Sequence, residues 1–159
     1  MIMTLLVLGT LDAVRARSVS LASTLVGVWQ DNRYLASGWS DVYIFFPDGT
    51  FRFHYNQMNC TKRKLSYGGK WKLSGNHVQL TVTDEELLTN VAPDPDEGPD
   101  CITGDTVIKK LRTPRHEGFS VTGVTVLPIE AGAESEPLIR AQFGRRAFWR
   151  HRSDPREYD

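Results

Sequence analysis

Two cysteines, Cys60 and Cys101, are the whole supply in 159 residues. They form no C-x-x-C pair and no Cys/His spacing that suits zinc. The four histidines, His54, His77, His116 and His151, fall one to a segment, none spaced to share a metal ion with another. No G-x-S-x-G, no phosphate-cradling glycine loop and no dinucleotide fingerprint occurs. These absences leave no poised nucleophile, no metal and no cofactor, so the chain is not expected to be an enzyme. Excess charge is missing too: the formal net charge is zero, and no global field favours nucleic acid or an anionic membrane. Cations are absent locally, with no Lys or Arg from residue 74 to 107, where eight Asp and Glu residues fall. Arginine gathers instead at Arg145, Arg146, Arg150, Arg152 and Arg156.

Long hydrophobic runs are also lacking. The apolar stretch Met1 to Leu11 is too short to span a bilayer, which takes about 20 residues. It resembles the core of a secretory signal, with Val14 and Ala16 at the small-residue positions before a cleavage site. Residues 1–16 are therefore expected to be a signal peptide, and the protein to be secreted or periplasmic, without stable membrane insertion. In an oxidising compartment Cys60 and Cys101 are expected to form one disulfide, contributing about 4 kcal/mol through the loop it closes. Asn59-Cys60-Thr61 matches a glycosylation sequon, relevant only in a eukaryotic secretory pathway.

From residue 25 onward the pattern has period two, broken by glycine-containing turns. In "YIFFPDGTFRFHY" a type I turn with Pro47 at its second position and Gly49 left-handed opposes Phe45 to Phe51 and Tyr43 to Phe53. Tyr55 then shares their inward face, while Val42, Ile44, Arg52 and His54 point outward. In "GGKWKLSGNHVQLTV" a two-residue turn at Gly75-Asn76 pairs Leu73 with Val78, Trp71 with Leu80 and Lys72 with Gln79. The capping-box spacing Thr83 to Glu86 predicts a short helix over 83–88. "APDPDEGPD" is a loop, its prolines and missing bidentate glutamate unlike a calcium-binding template. Strands are expected again over 106–112, 118–127, 137–143 and 146–151. About eight antiparallel strands with no strand–helix alternation are expected to form an all-β meander closed into a barrel, with a sandwich as the second choice.

Gly27-Val28-Trp29 is a G-x-W at the start of the first strand. It resembles the opening signature of the lipocalins and their calycin relatives, and "FPDGTF" and "GKWKLSGNHVQL" resemble segments of small bacterial lipocalin-like domains. The resemblance implies a domain over 17–152 with a ligand-holding interior; the polar end at 153–159, "SDPREYD", is expected to be a solvated tail. It implies that Trp29 closes the base beside Gly27 under an arginine of the last strand, Arg150 or Arg152.

Within such a barrel Phe45 and Phe51 are expected in the core. Tyr43, Phe53, Tyr55 and Trp71 are the candidate contacts of a small hydrophobic ligand, with hydroxyls to orient it. The expected function is binding of that ligand by an exported monomer. The alternative is a secreted or periplasmic inhibitor whose loops engage a protease or lysozyme, the acidic 84–105 segment meeting a basic enzyme. The arginine-rich end, with Phe148 and Trp149 interleaved, is read as strand alternation rather than a nucleic-acid patch. The pairing of the cysteines is directly testable: mass spectrometry of unreduced protein from an oxidising compartment is expected to find no free thiol. Serine at either position should lower the melting temperature yet leave the barrel folded.

Overall fold

The structure, a computed structural model, describes residues 20–34, 39–56, 64–89, 92–93, 102–103, 107–129 and 136–158. The signal-like stretch 1–16, both cysteines and the proline-rich acidic loop 94–100 lie outside them. In chain order come helix α1 (Leu21–Leu25) and strands β1 (Gly27–Gln30), β2 (Val42–Phe45), β3 (Thr50–His54), β4 (Lys64–Ser74) and β5 (His77–Thr89). A two-stranded ribbon follows, β6 (Ala92–Pro93) with β7 (Ile102–Thr103). Then come β8 (Val107–Val126), β9 (Ile139–Phe143), β10 (Arg146–Arg152) and a 3-10 turn (Pro155–Glu157). Apart from the ribbon, the strands form one closed antiparallel meander of eight, in which β10 returns to pair with β1. The all-β barrel expected from the alternating pattern is the observed fold.

Both hairpins adopt the expected registers. Phe45 pairs with Phe51 and Tyr43 with Phe53; Leu73 pairs with Val78 and Trp71 with Leu80. Gly49 and Gly75 supply the left-handed corners, at φ 81° and 60°. Two expectations are corrected. Residues 83–88 form no helix: Glu85 and Glu86 lie in β5, laddered to Tyr67 and Ser66 on one side and to Leu111 and Lys110 on the other. Pairing on both edges overrides a local capping preference. The two strands expected at 106–112 and 118–127 are one, β8. Its Pro114 is accommodated because Thr113 and Pro114 bulge opposite Thr83, where no ladder N–H is needed.

A helix stands instead at residues 21–25, plugging the barrel end where β1 begins. Its Leu25 is fully buried in the core. Trp29 Nε1 donates to the Leu25 carbonyl at 2.7 Å, and Arg150 Nη1 donates to the Thr24 carbonyl at 3.0 Å. These bonds satisfy carbonyls that a helix end leaves without partners. Arg150 pairs with Trp29 in the β1–β10 ladder, so Gly27, Trp29 and Arg150 meet at the seam.

The wall outside this seam is not solvated. Val28, Val42 and Ile44 point outward yet are buried, with Phe46 and Tyr158 packed on them. The residues expected to be a solvated tail thus fold back across the barrel, with Pro155 buried. His54, placed on the outward face by the alternating pattern, lies 5.3 Å from the Tyr158 ring, and burial holds its pKa below the ordinary value. Phe148 faces in and Trp149 out, where Arg140 covers it at 5.8 Å, as alternation requires.

At the β4–β5 bulge Gly69 has no room for a side chain, because a Cβ there would lie 2.0 Å from the Thr81 carbonyl oxygen. Gly75 faces open space. Gly69→Ala is therefore expected to lose about 3 kcal/mol and Gly75→Ala about 1 kcal/mol, read as the difference between their urea midpoints.

Candidate functional site

The inward face changes character along the barrel. Toward α1 it is apolar and aromatic: Trp29 and Phe143 lie 5.0 Å apart between ring centroids, Phe45 and Phe51 6.4 Å. At the opposite end, where β3 finishes and β4 begins, the inward residues are Tyr55, Tyr67, Glu85, Arg115 and Glu117. How β5 delivers a carboxylate there follows from its bulge. Val78, Leu80 and Val82 point inward at even numbers. Thr83 is then skipped in the register, since Gly69 pairs with Val82 and Gly68 with Asp84. The extra residue inverts the phase, so Glu85 turns inward and Asp84 and Glu86 outward. On β8, Arg115 and Glu117 share the phase of Phe119 and the buried Val121.

Arg115 is the hub. Its Nη1 donates to Glu85 Oε1, its Nε lies 3.4 Å from Glu117 Oε2, and its guanidinium sits 4.9 Å from the centre of the Tyr67 ring. Lys64 Nζ adds a second cation 3.5 Å from Glu85 Oε1. Burial works against the charge on Arg115, but the two carboxylates hold its pKa above the ordinary value. Its Nε is buried, and the geometry toward Glu117 falls short of a hydrogen bond, so one inward N–H donor has no acceptor among the described residues. Solvent still reaches this layer: the Glu85 side chain is 7% exposed, but Arg115 is 31% and Glu117 35%.

The tyrosines join this layer to the aromatic floor. The Tyr43 and Tyr67 hydroxyls are 3.1 Å apart and hydrogen-bonded. Tyr43 touches Phe53 at 4.5 Å between ring centroids and Phe119 at 5.4 Å, and Tyr55 stands edge-on to Phe53 at 4.9 Å. Desolvation pushes the Tyr43 phenol up to about 12 despite the bond to Tyr67. Burial raises Tyr67 as well, reinforced by Tyr43 and the Glu117 carboxylate, and burial raises Tyr55. At the rim, Arg146 bridges Asp31 and Asp41, and Asp41 Oδ1 accepts from both Asn56 N and Asn56 Nδ2 at 2.9 Å.

Of the four residues expected to contact a ligand, Tyr43, Phe53 and Tyr55 are together. Trp71 is not with them. It lies four residues along β4 from Tyr67, its indole donating to the Phe46 carbonyl at 3.1 Å near the other end. Sequence reasoning missed Tyr67, Glu85, Arg115 and Glu117. Alternation from Val121 back through Phe119 places Glu117 and Arg115 inward, but a helix over 83–88 hides Glu85. Among the described residues no three His, Cys, Asp or Glu side chains are grouped to hold a metal ion. Neither protein-family models, nor curated proteins, nor solved structures provide a match to this chain.

The raised tyrosine pKa values have a measurable consequence. A phenol that stays neutral in the fold but ionises more readily once unfolded stabilises the native state below pH 10. That contribution is lost as pH climbs through about 12. Stability is expected to fall from about pH 10 upward, and Tyr43→Phe, which cannot ionise, should flatten the fall; urea midpoints against pH, with phenolate absorbance, read both.

Proposed function

We propose that the chain is an exported, monomeric, lipocalin-like barrel that binds a small, mainly apolar molecule bearing one polar group at its tyrosine-lined end. The observation that carries this reading is the Glu85–Arg115–Glu117 cluster facing inward beneath the rim. Charges taken out of water are a poor source of stability, and apolar residues of similar volume serve a fold equally well or better. A barrel that keeps an arginine, two carboxylates and three phenols there has a use for polar groups in that place. The aromatic floor of Tyr43 and Phe53 offers flat apolar surface, and the partly exposed Arg115 guanidinium and the tyrosyl hydroxyls offer donors for a carbonyl or hydroxyl oxygen. The closed meander, the helix plug and the meeting of Gly27, Trp29 and Arg150 support the lipocalin-like assignment.

Binding and stability are expected to separate on substitution of this cluster. The triple variant Glu85→Leu, Arg115→Met, Glu117→Leu is expected to fold with unchanged or higher stability, whereas Arg115→Leu alone, leaving Glu85 short of its closest cation, should lose about 3 kcal/mol. Tryptophan fluorescence titrated with fatty acids, retinoids and haem is expected to respond in the native protein and not in the triple variant. No response to any of these, together with inhibition of a lysozyme or protease, would replace this reading with that of a loop-borne inhibitor. Such an inhibitor is supported by the aromatic packing that fills the α1 half of the barrel.

A further inference from the structure

We propose a second binding site on the outside of the barrel, a groove that takes an organic anion with a flat apolar body. The C-terminal turn, folded over β2, stands above the wall and leaves a groove of about 760 Å³ between itself and β3–β5. This volume lies within the range of small-molecule sites, roughly 300–1,000 Å³. Its apolar surface comes from Ile44, Phe46 and the Tyr158 ring, against which His54 packs at 5.3 Å. Its charged centre is Arg52. The guanidinium lies over the bare backbone of Gly68, where a Cβ would come within 3.0 Å of Cζ and Nη1, and Nη1 donates to Asp84 Oδ1 at 2.8 Å. Among the described residues that is the only side-chain hydrogen bond of Arg52, so most of its five guanidinium N–H donors are uncommitted.

The charge balance sets the sign of the ligand. Asp84 is the groove's one carboxylate, and it already has a second cation, Lys110 Nζ, at 3.6 Å. Lys70, on the same outer face, has no ion-pair partner among the described residues. Arg156 is tied to Asp154 and adds little. A neighbouring groove of about 680 Å³ shares Thr83 and Asp84 and brings Lys110 and Arg112, so positive charge continues away from the apolar end. An anionic head between Arg52 and Lys70, with a ring laid on Ile44, Phe46 and Tyr158, satisfies both halves. This site shares no side chain with the interior cluster, because the strand walls separate the two faces.

The test uses 2-naphthoate as the probe and uncharged 2-naphthamide as its control, with NMR contacts read at side chains, which distinguish the two faces of one strand. Magnetisation transfer from 2-naphthoate is expected to reach the Ile44 methyls and the Tyr158 ring. Affinity should drop about tenfold or more in Arg52→Gln and with 2-naphthamide, as loss of a charge-assisted hydrogen bond implies. Lys70→Gln, at an exposed position, should weaken binding in the same direction and keeps the test sound if Arg52→Gln disturbs the wall. Contacts to Val82 and Tyr67 instead would place the probe inside the barrel and overturn this site while favouring the interior one. No binding, or equal binding of acid and amide, would overturn the outer site and leave the interior reading untouched.

Discussion

One unpaired residue, Thr83, decides which carboxylates of this protein are inside and which are outside. It is skipped against β4 at Gly68–Gly69 and opposed by the two-residue bulge Thr113–Pro114 on β8, so three adjacent strands are kinked at one level. Because side chains alternate, one extra residue exchanges the faces of everything beyond it. Glu85 becomes the buried partner of Arg115, and Asp84 becomes the outward partner of Arg52. Regular pairing would send Glu85 into solvent and press Asp84 against Tyr67. The glycines make the kink possible, since a Cβ at Gly69 would lie 2.0 Å from the Thr81 carbonyl oxygen.

The same bulge explains what was legible in the sequence and what was not. The two tight hairpins could be read because turn chemistry and cross-strand pairing agreed: Pro47 and Gly49 in one, Gly75-Asn76 in the other, each placing apolar opposite apolar. The position of Trp29 was read only from the resemblance carried by Gly27-Val28-Trp29, and not from turn chemistry or periodicity. The second half of β5 was not, because "TDEELL" satisfies a helix cap locally and only its neighbours on both edges make it a strand. Bulges leave little local trace, so Glu85 could not be assigned a face. Arg115 and Glu117 were readable in phase with Val121, yet charged residues at inward positions contradict the rule by which inward positions are recognised. The role of Tyr158 was hidden for a different reason. Docking of a chain end onto a wall is set by a tertiary surface, here Val28, Val42 and Ile44, and not by any periodicity in the end itself.

The barrel therefore has two kinds of apolar surface with different work. The interior rings make one continuous core whose hydroxyl-bearing members lie toward the charged end. The exterior patch is small and owes its burial to the C-terminal turn. Charge is arranged likewise in two layers, Glu85 with Arg115 inside and Asp84 with Arg52 and Lys110 outside, across the thickness of one strand. A substitution on β5 near residue 84 acts on both layers through the shared backbone.

The seam that closes the barrel joins the first strand to the last, Trp29 opposite Arg150. During synthesis every other strand can pair with a neighbour already made, but β1 must wait with one edge bare until β10 emerges. Closure is thus the longest-range contact of the fold and the slowest to be reached by chain diffusion. Until it forms, the chain is an open sheet with two free edges, the state in which β proteins pair with the wrong partner. The four-residue length of β1 limits that hazard, for an edge so short offers little template to another molecule.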